Sequence, residues 1–173
     1  LIVVSKSLGN DKSFMPNIRD YLMSGKIDSA RELCRAKDTP IAHVIEKGIS
    51  RLGKPTREVS EAMESAGQQE IARVEKNLHF LSLVSRIAPM IGFIGTIIGV
   101  ITIFHKIGLS GDISIKGISN GLYIKMFSSA AGLLVGVIAF LFYHVLNAMV
   151  DNLAKKIEHS SSAFLDVINE PGN

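Results

Sequence analysis

The chain has 173 residues, of which 47% are hydrophobic, with a formal net charge of +3 and no tryptophan. This charge is too small for a nucleic-acid-binding protein, and the Lys and Arg residues form no dense run interleaved with aromatic residues. A single cysteine, Cys34, excludes an intrachain disulfide framework and a thiolate metal cluster.

The apolar residues are concentrated in two stretches. Asp, Glu, Lys and Arg are all absent from Ile87 to Phe104, which is 18 residues, and from Met126 to Val150, which is 25 residues. At about 1.5 Å per residue, stretches of this length can cross a hydrocarbon core of about 30 Å. The sequence therefore predicts an all-α membrane protein whose long transmembrane helices extend into the cytoplasm.

The chain begins with an apolar segment and then becomes polar. Residues 1–4 are interpreted as the end of a first transmembrane helix, so three spans are expected with the first largely missing; a disordered or strand-like terminus is the alternative. Residues 5–79 predict a cytoplasmic helical domain. Within it, Thr39 and Pro40 form an N-cap and first helical residue, and Asp28 or Ser29 is expected to cap the preceding helix.

A longer helix follows. Apolar residues at spacings of three and four continue from Val59 into the first uncharged stretch, where Pro89 is the only interruption. One helix from about Thr56 to Phe104 would be roughly 70 Å long, so its first part must lie outside the membrane. The segments are therefore a transmembrane helix (80–104), a periplasmic loop (105–125), a transmembrane helix (126–150) and a cytoplasmic C-terminal helix and tail (151–173).

Basic residues near the membrane boundaries indicate the orientation. Eight Lys and Arg residues lie on the side of the N-terminal domain and tail, against three in the loop between the spans. The domain and tail are therefore predicted to be cytoplasmic. Arg86 and Lys125, at the boundaries, are candidates for contact with anionic lipid headgroups.

Each apolar stretch carries a stripe of small and hydroxyl-bearing residues at helical spacing. Small residues allow membrane helices to approach closely. Thr96 and Ser129 either bond to their own i−4 carbonyls within a packed seam or line a polar pathway or a groove for another helix. The first stripe is Ser85, Pro89, Gly92, Thr96, Gly99 and Ile103; the second is Lys125, Ser129, Gly132, Gly136, Ala139, Tyr143 and Asn147; Gly95 forms GxxxG with Gly99.

Carboxylates are missing from both membrane segments. No Asp or Glu lies between Glu75 and Asp112 or between Asp112 and Asp151. Any titrating acid for proton conduction must therefore come from a partner. There is also no phosphate-binding glycine loop, HExxH motif or cluster at metal-ligand spacing, so we expect neither an enzyme nor a cofactor or metal site.

Three segments resemble motifs of a known family. The sequence ARVE ends at Glu75, IAPMIGFIGTIIG ends at Gly99, and SSAAGL begins at Ser128. These resemble motifs of ExbB/TolQ/MotA-type proton-channel proteins over about residues 57–147, with ExbB or TolQ more similar than MotA. The resemblance implies a multi-pass protein of the bacterial inner membrane that forms a homo-pentamer around the membrane helices of a dimeric ExbD- or TolR-like partner.

The same resemblance implies functional roles. The single-span partner would supply a membrane aspartate, and proton flow would energise a TonB- or TolA-like protein in outer-membrane transport. The family's pore hydroxyls fall on Thr96 and Ser129. Ile124 stands where an acidic residue is common, and Ile138 stands where a proline is common. A flagellar-stator-like subunit and a passive membrane scaffold or adaptor are the alternatives.

Overall fold

The structure, a computed structural model, describes residues 13–110 and 115–169. This part of the chain contains five α-helices and no strand, which confirms the predicted all-α fold. The predicted remnant of a first span, residues 1–4, lies outside the described residues. The helices are α1 (Phe14–Met23), α2 (Ile27–Lys37), α3 (Pro40–Ile49), α4 (Thr56–Ser110) and α5 (Ile115–Asn169).

The chain divides into two compact units. The polar unit comprises the chain up to Lys76 together with the chain from Asn147 onward, and the apolar unit comprises Asn77–Leu146. Helices α4 and α5 each contribute a segment to both units.

Capping residues determine where the short helices of the polar unit begin. The Thr39 hydroxyl accepts a hydrogen bond from the Ala42 N–H at 3.3 Å, and Pro40 is the first residue of α3, as predicted. The expectation for α2 is wrong. Because Gly25 adopts a left-handed conformation (φ +69°) and reverses the chain at once, α2 already starts at Ile27, and Asp28 lies inside its first turn.

The core of the polar unit depends on a close approach of α3 to the two long helices. A Cβ atom on Gly48 would lie 2.6 Å from Met63 Sδ and 2.8 Å from Phe164 Cε1, and one on Gly67 would lie 3.1 Å from Ile157 Cγ2. The C-terminal part of α5 therefore completes this core. Its other buried residues are Phe14, Ile18, Ala30, Cys34, Ala42, Val44, Ile45, Ile49, Val59 and Leu153.

Two polar side chains in the polar unit have distinctive surroundings. The ring of His43 lies between two carboxylates, with Nδ1 3.1 Å from Glu70 Oε1 and Nε2 3.0 Å from Asp38 Oδ1. This arrangement ties α3 to α4 and to the C-terminal end of α2. Burial raises the pKa of the Cys34 thiol to about 12, and the Glu46 carboxylate acts in the same direction.

Helices α4 and α5 run antiparallel within the apolar unit. Their contacts advance along α4 while they retreat along α5, pairing Pro89 with Gly136, Gly92 with Gly132, Gly99 with Lys125 and Ile103 with Gly121. Helix α4 continues without a break through Pro89 to Ser110, and α5 begins at Ile115. Most of the segment predicted as a loop, residues 105–125, is therefore helical.

Large apolar side chains cover the outer surface of the apolar unit. Only 11% of the most apolar window of α4 and 17% of that of α5 is buried. A helix that serves as the core of a soluble protein is mostly buried, whereas these two helices are long and apolar enough to cross a membrane. Exposed side chains include Ile91, Phe93, Ile98, Ile101, Phe104, Phe127, Leu134, Phe140, Leu141 and Phe142.

Candidate functional site

The candidate site is the seam between α4 and α5 in the apolar unit. At its centre, Gly92 and Gly132 bring the two backbones together. A Cβ atom on Gly92 would lie 3.0 Å from the carbonyl oxygen of Ser129, and one on Gly132 would lie 2.9 Å from the carbonyl oxygen of Ala88. Both neighbours are backbone atoms, which cannot rotate away as a side chain can. Glycine is therefore required at both positions for this helix separation.

Glycines also flank the centre of the seam. Gly99 receives the aliphatic stem of Lys125, whose Cγ, Cδ and Cβ would all be displaced by a Cβ on this glycine. Gly136 receives the ring of Pro89, with Cδ 2.6 Å from the position of an added Cβ. The proline that interrupts the sequence pattern of α4 is thus a packing element of the seam.

Gly95 differs from the other predicted packing glycines. An added Cβ at Gly95 would lie 4.0 Å from the Ser128 hydroxyl oxygen, which is an ordinary contact distance. The seam follows Gly92 and Gly99 rather than the GxxxG pair of Gly95 and Gly99. It brings together four of the five glycines singled out from the sequence and leaves Gly95 at its margin.

The hydroxyl of Thr96 lies inside the seam and has two acceptors. Its Oγ1 lies 3.3 Å from the carbonyl oxygen of Gly92 on its own helix and 3.3 Å from that of Lys125 on α5. The single hydroxyl proton can be donated to either oxygen. Both distances exceed the usual 2.7–2.8 Å of an O–H···O bond, so neither acceptor holds the proton strongly. Thr96 thus combines the i−4 bond expected from its own helix with a contact across the seam.

Ser129 and Lys125 are the residues of α5 that adjoin Thr96. Both are half-buried. The backbone of Ser129 packs against Gly92, while the backbone of Lys125 accepts the Thr96 hydroxyl. Arg86, by contrast, is exposed. The seam therefore brings Thr96, Ser129 and Lys125 together and leaves Arg86 outside.

Sequence reasoning overlooked three parts of this seam. The Lys125 carbonyl oxygen, the Ser128 hydroxyl and the packing of Ile103 on Gly121 depend on how the two helices pair. The sequence does contain a signal for this pairing. Two antiparallel helices joined by a short connection near residue 112 pair residues that are equally far from that connection. On that rule Thr96 lies opposite residue 128.

Apart from the ammonium group of Lys125, the polar groups of the seam are hydroxyls and backbone carbonyls. The sequence places no carboxylate in residues 76–111 or 113–150. Within the described ranges, 13–110 and 115–169, no three His, Cys, Asp or Glu side chains are grouped so as to hold a metal ion. The hydroxyls of the seam can both accept and donate a proton.

Comparison with known proteins finds relatives of this chain. Relatives include an ExbB homolog among the biopolymer transport proteins, from Methanothermobacter thermautotrophicus, which is 27% identical over 134 residues covering 78% of this chain and 47% of the relative. Biopolymer transport protein ExbB of Helicobacter pylori is 35% identical over 47% of this chain and 56% of its own length. Biopolymer transport protein exbB1 of Vibrio cholerae is 31% identical over 54% of this chain and 41% of its own length.

The chain spans about half the length of these curated relatives. Residues 36–159 match the family described as the MotA/TolQ/ExbB proton channel family. That match includes about half of the polar unit and the whole apolar unit, and it covers more than half of the chain. The chain belongs to the MotA/TolQ/ExbB proton channel family.

Proposed function

We propose that this chain is the channel subunit of a proton-driven motor in the bacterial inner membrane, of the ExbB type. Five copies would surround the membrane helices of an ExbD-like single-span partner. Proton flow through this complex would energise a TonB-like protein and, through it, outer-membrane transport. The polar unit, which includes the C-terminal tail, would lie in the cytoplasm, and the excess of basic residues near the membrane boundaries on that side supports this orientation.

The observation that carries this proposal is the combination of membrane hydroxyls with missing membrane acids. Thr96 has two weak acceptors within the seam, and Ser129 adjoins it. The sequence places no carboxylate in residues 76–111 or 113–150. A hydroxyl can pass a proton without acquiring a permanent charge, but it cannot store one near neutral pH. The storing group is therefore assigned to the partner's membrane aspartate.

The outer surface of the apolar unit supports an assembly within the membrane. Many large apolar residues of α4 and α5 are exposed, among them Phe93, Ile98 and Leu134. Lipid can cover such a surface, and so can identical helices of neighbouring copies. A ring of copies would leave one side of each seam directed toward a central space, where the partner helices would lie.

The test is proton flux through the assembled complex. The chain would be co-purified with its ExbD-like partner, reconstituted into vesicles, and exposed to a pH gradient while a trapped pH dye reports the flux. Thr96→Val removes the relay hydroxyl with little change in size, and we expect it to lower the flux about tenfold or more, which corresponds to about 1.4 kcal/mol in the barrier.

Thr102→Val is the matched control, because Thr102 is an exposed threonine on the same helix whose hydroxyl donates to the Ile98 carbonyl at 2.7 Å. This variant is expected to conduct like the unmodified complex. Equal flux in the Thr96 and Thr102 variants would overturn the relay role of Thr96. If the chain assembles without any partner whose membrane span carries an acid, and this assembly never conducts protons, the passive scaffold is favoured instead.

A second variant tests Ser129. Its backbone already contacts Gly92, so bulk added at this position has little room on the side of α4. Ser129→Leu is expected to block flux sterically, while Ser129→Ala removes only the hydroxyl. Unchanged flux in the leucine variant would place the side chain outside the pathway.

A further inference from the structure

We propose that Lys125 is a positioning residue that binds a carboxylate supplied by another chain at membrane depth. The inference rests on the proposed function, in which a partner brings an acid into the membrane beside Thr96 and Ser129. Its chemistry is the pairing of one ammonium group with one carboxylate. Lys125 would thus help to hold a membrane carboxylate that the membrane segments of this chain do not themselves contain.

The position of Lys125 in the seam supports this pairing. Its aliphatic stem packs on Gly99, and its backbone carbonyl accepts from Thr96 Oγ1 at 3.3 Å. Gly99 lies five residues before Phe104, the end of the uncharged stretch of α4. At about 1.5 Å per residue this places the start of the Lys125 side chain roughly 7 Å inside that end. Lys125 is therefore level with apolar residues of α4.

The positive charge of Lys125 is not balanced by a carboxylate among the neighbouring residues of the sequence. No Asp or Glu occurs in residues 76–111 or 113–150. Across residues 13–110 and 115–169, the ammonium group of Lys125 makes no ion pair or side-chain hydrogen bond with this chain. A charged group at membrane depth is costly unless it pairs with an opposite charge or reaches water. Among the described residues of one copy, the stem of Lys125 packs on Gly99, while its ammonium group has no counter-ion.

The spacing of Lys125 from Ser129 along α5 also supports the pairing. Lys125 precedes Ser129 by four residues, which is about one helical turn, so the two side chains lie on the same face of α5. An unpaired cation at this place would repel a proton that approaches Thr96 or Ser129. A carboxylate bound to Lys125 would cancel that repulsion. The pairing would also keep this acid ionised until a proton arrives, because a neighbouring cation lowers the pKa of a carboxylic acid.

A lipid phosphate is the competing anion, since lysine side chains near helix ends can extend to the headgroups. The observations favour a carboxylate, because the stem of Lys125 is held against Gly99 in the seam rather than on the exposed outer surface. Vesicle composition separates the two sources. A protein carboxylate acts equally in zwitterionic and anionic lipid, whereas a phosphate contact depends on lipid.

The experiment measures the pH profile of proton flux in the complex with its partner. Lys125→Met keeps an unbranched stem on Gly99 and removes only the charge. Without the cation the partner's acid is protonated at higher pH, so the midpoint of the profile should move upward by about one pH unit or more. Lys125→Arg should keep the original midpoint. Lys116→Met, at an exposed lysine of the same helix, should also leave the midpoint unchanged.

The possible outcomes are distinct. An unchanged midpoint for Lys125→Met, or a shift that vanishes in vesicles of zwitterionic lipid alone, overturns the carboxylate assignment. If Lys125→Met fails to co-purify with the partner while Lys125→Arg succeeds, the charge binds the partner, as proposed; if both fail, the role is one of packing and the proposal is wrong. A complex that conducts no protons before any substitution refutes the proposed function instead.

Discussion

Replacing Gly132 by alanine tests how closely α4 and α5 must approach. The new Cβ would lie 2.9 Å from the Ala88 carbonyl oxygen and 3.0 Å from Gly92 Cα. Ordinary contacts begin near 3.4 Å, so the helices must separate locally by about 0.5 Å. The Thr96 hydroxyl, 3.3 Å from the Lys125 carbonyl, would then lie beyond hydrogen-bond distance of α5.

Two opposing effects set the magnitude. Overpacking of this kind costs about 1–3 kcal/mol, while alanine in place of glycine favours a helix by about 0.8–1.0 kcal/mol. Gly108→Ala isolates the second effect, because nothing lies within 4 Å of a Cβ at this position. Both variants gain the same helix propensity, so the difference between them measures the clash alone. We expect Gly132→Ala to be about 1–3 kcal/mol less stable than Gly108→Ala.

The assay is thermal unfolding of the purified full chain in detergent, followed by circular dichroism of the helices. For a chain of this size 1 kcal/mol corresponds to about 2–4 °C, so the two midpoints should differ by roughly 2–12 °C. Gly95→Ala is a second control inside the apolar unit, since its Cβ would meet only the Ser128 hydroxyl at 4.0 Å. Equal midpoints for the Gly132 and Gly95 variants would refute the close-approach reasoning.

Two further predictions concern the polar unit. Because its pKa is about 12 and it is buried, Cys34 should react with a maleimide at pH 8 at least 1,000-fold more slowly in the folded protein than in denaturant. Since the raised pKa favours the neutral thiol in the folded state, its contribution to stability is complete below about pH 9 and is lost as the pH rises toward 12. His43→Ala should cost about 1.5–3 kcal/mol, chiefly by leaving the mostly buried Glu70 carboxylate without its ring partner, and should speed Cys34 labelling about 10- to 150-fold. The exposed His159, replaced in the same way, should not change that rate, and equal labelling in both variants would exclude a stabilising role for the His43 bridge.

Features encoded by short-range patterns could be predicted from the sequence. The Thr39–Pro40 start of α3 depends on one side chain and one fixed backbone angle, both of which are local. The long periodicity from Val59 through Pro89 corresponds to the single helix α4, because its apolar residues repeat at helical spacing throughout. The Thr39–Pro40 cap is present as predicted, and the helix extends beyond the predicted end at Phe104 by six residues.

Features that depend on pairing between distant segments could not be predicted in the same way. The face of α4 that carries Pro89, Gly92 and Gly99 was visible in the sequence, but its partners on α5 were not. The GxxxG spacing pointed to Gly95, whereas the antiparallel contact passes through Gly92 and Gly99, which are seven residues apart on α4. This difference arises because two turns of a helix, about seven residues, return to the same side.

The bridge at His43 shows the same limit within the polar unit. Its carboxylate partners, Asp38 and Glu70, are 5 and 27 residues away in sequence. No spacing rule links a histidine to an acid 27 residues distant on another helix. The C-terminal tail is similar, since its periodicity predicted a helix but not that Phe164 would fill the space above Gly48.

The packing of the seam and the chemistry proposed for it depend on each other. A relay hydroxyl must release its proton in one direction and accept another, so it should not be bound tightly to a single acceptor. Thr96 meets this condition because the carbonyl oxygens of Gly92 and Lys125 lie at the same distance, 3.3 Å, on two different helices. That equality exists only while Gly92 and Gly132 hold the helices together. Separation by half an ångström would leave Thr96 bound to its own helix alone, so a packing glycine that never touches a proton should still control proton flux.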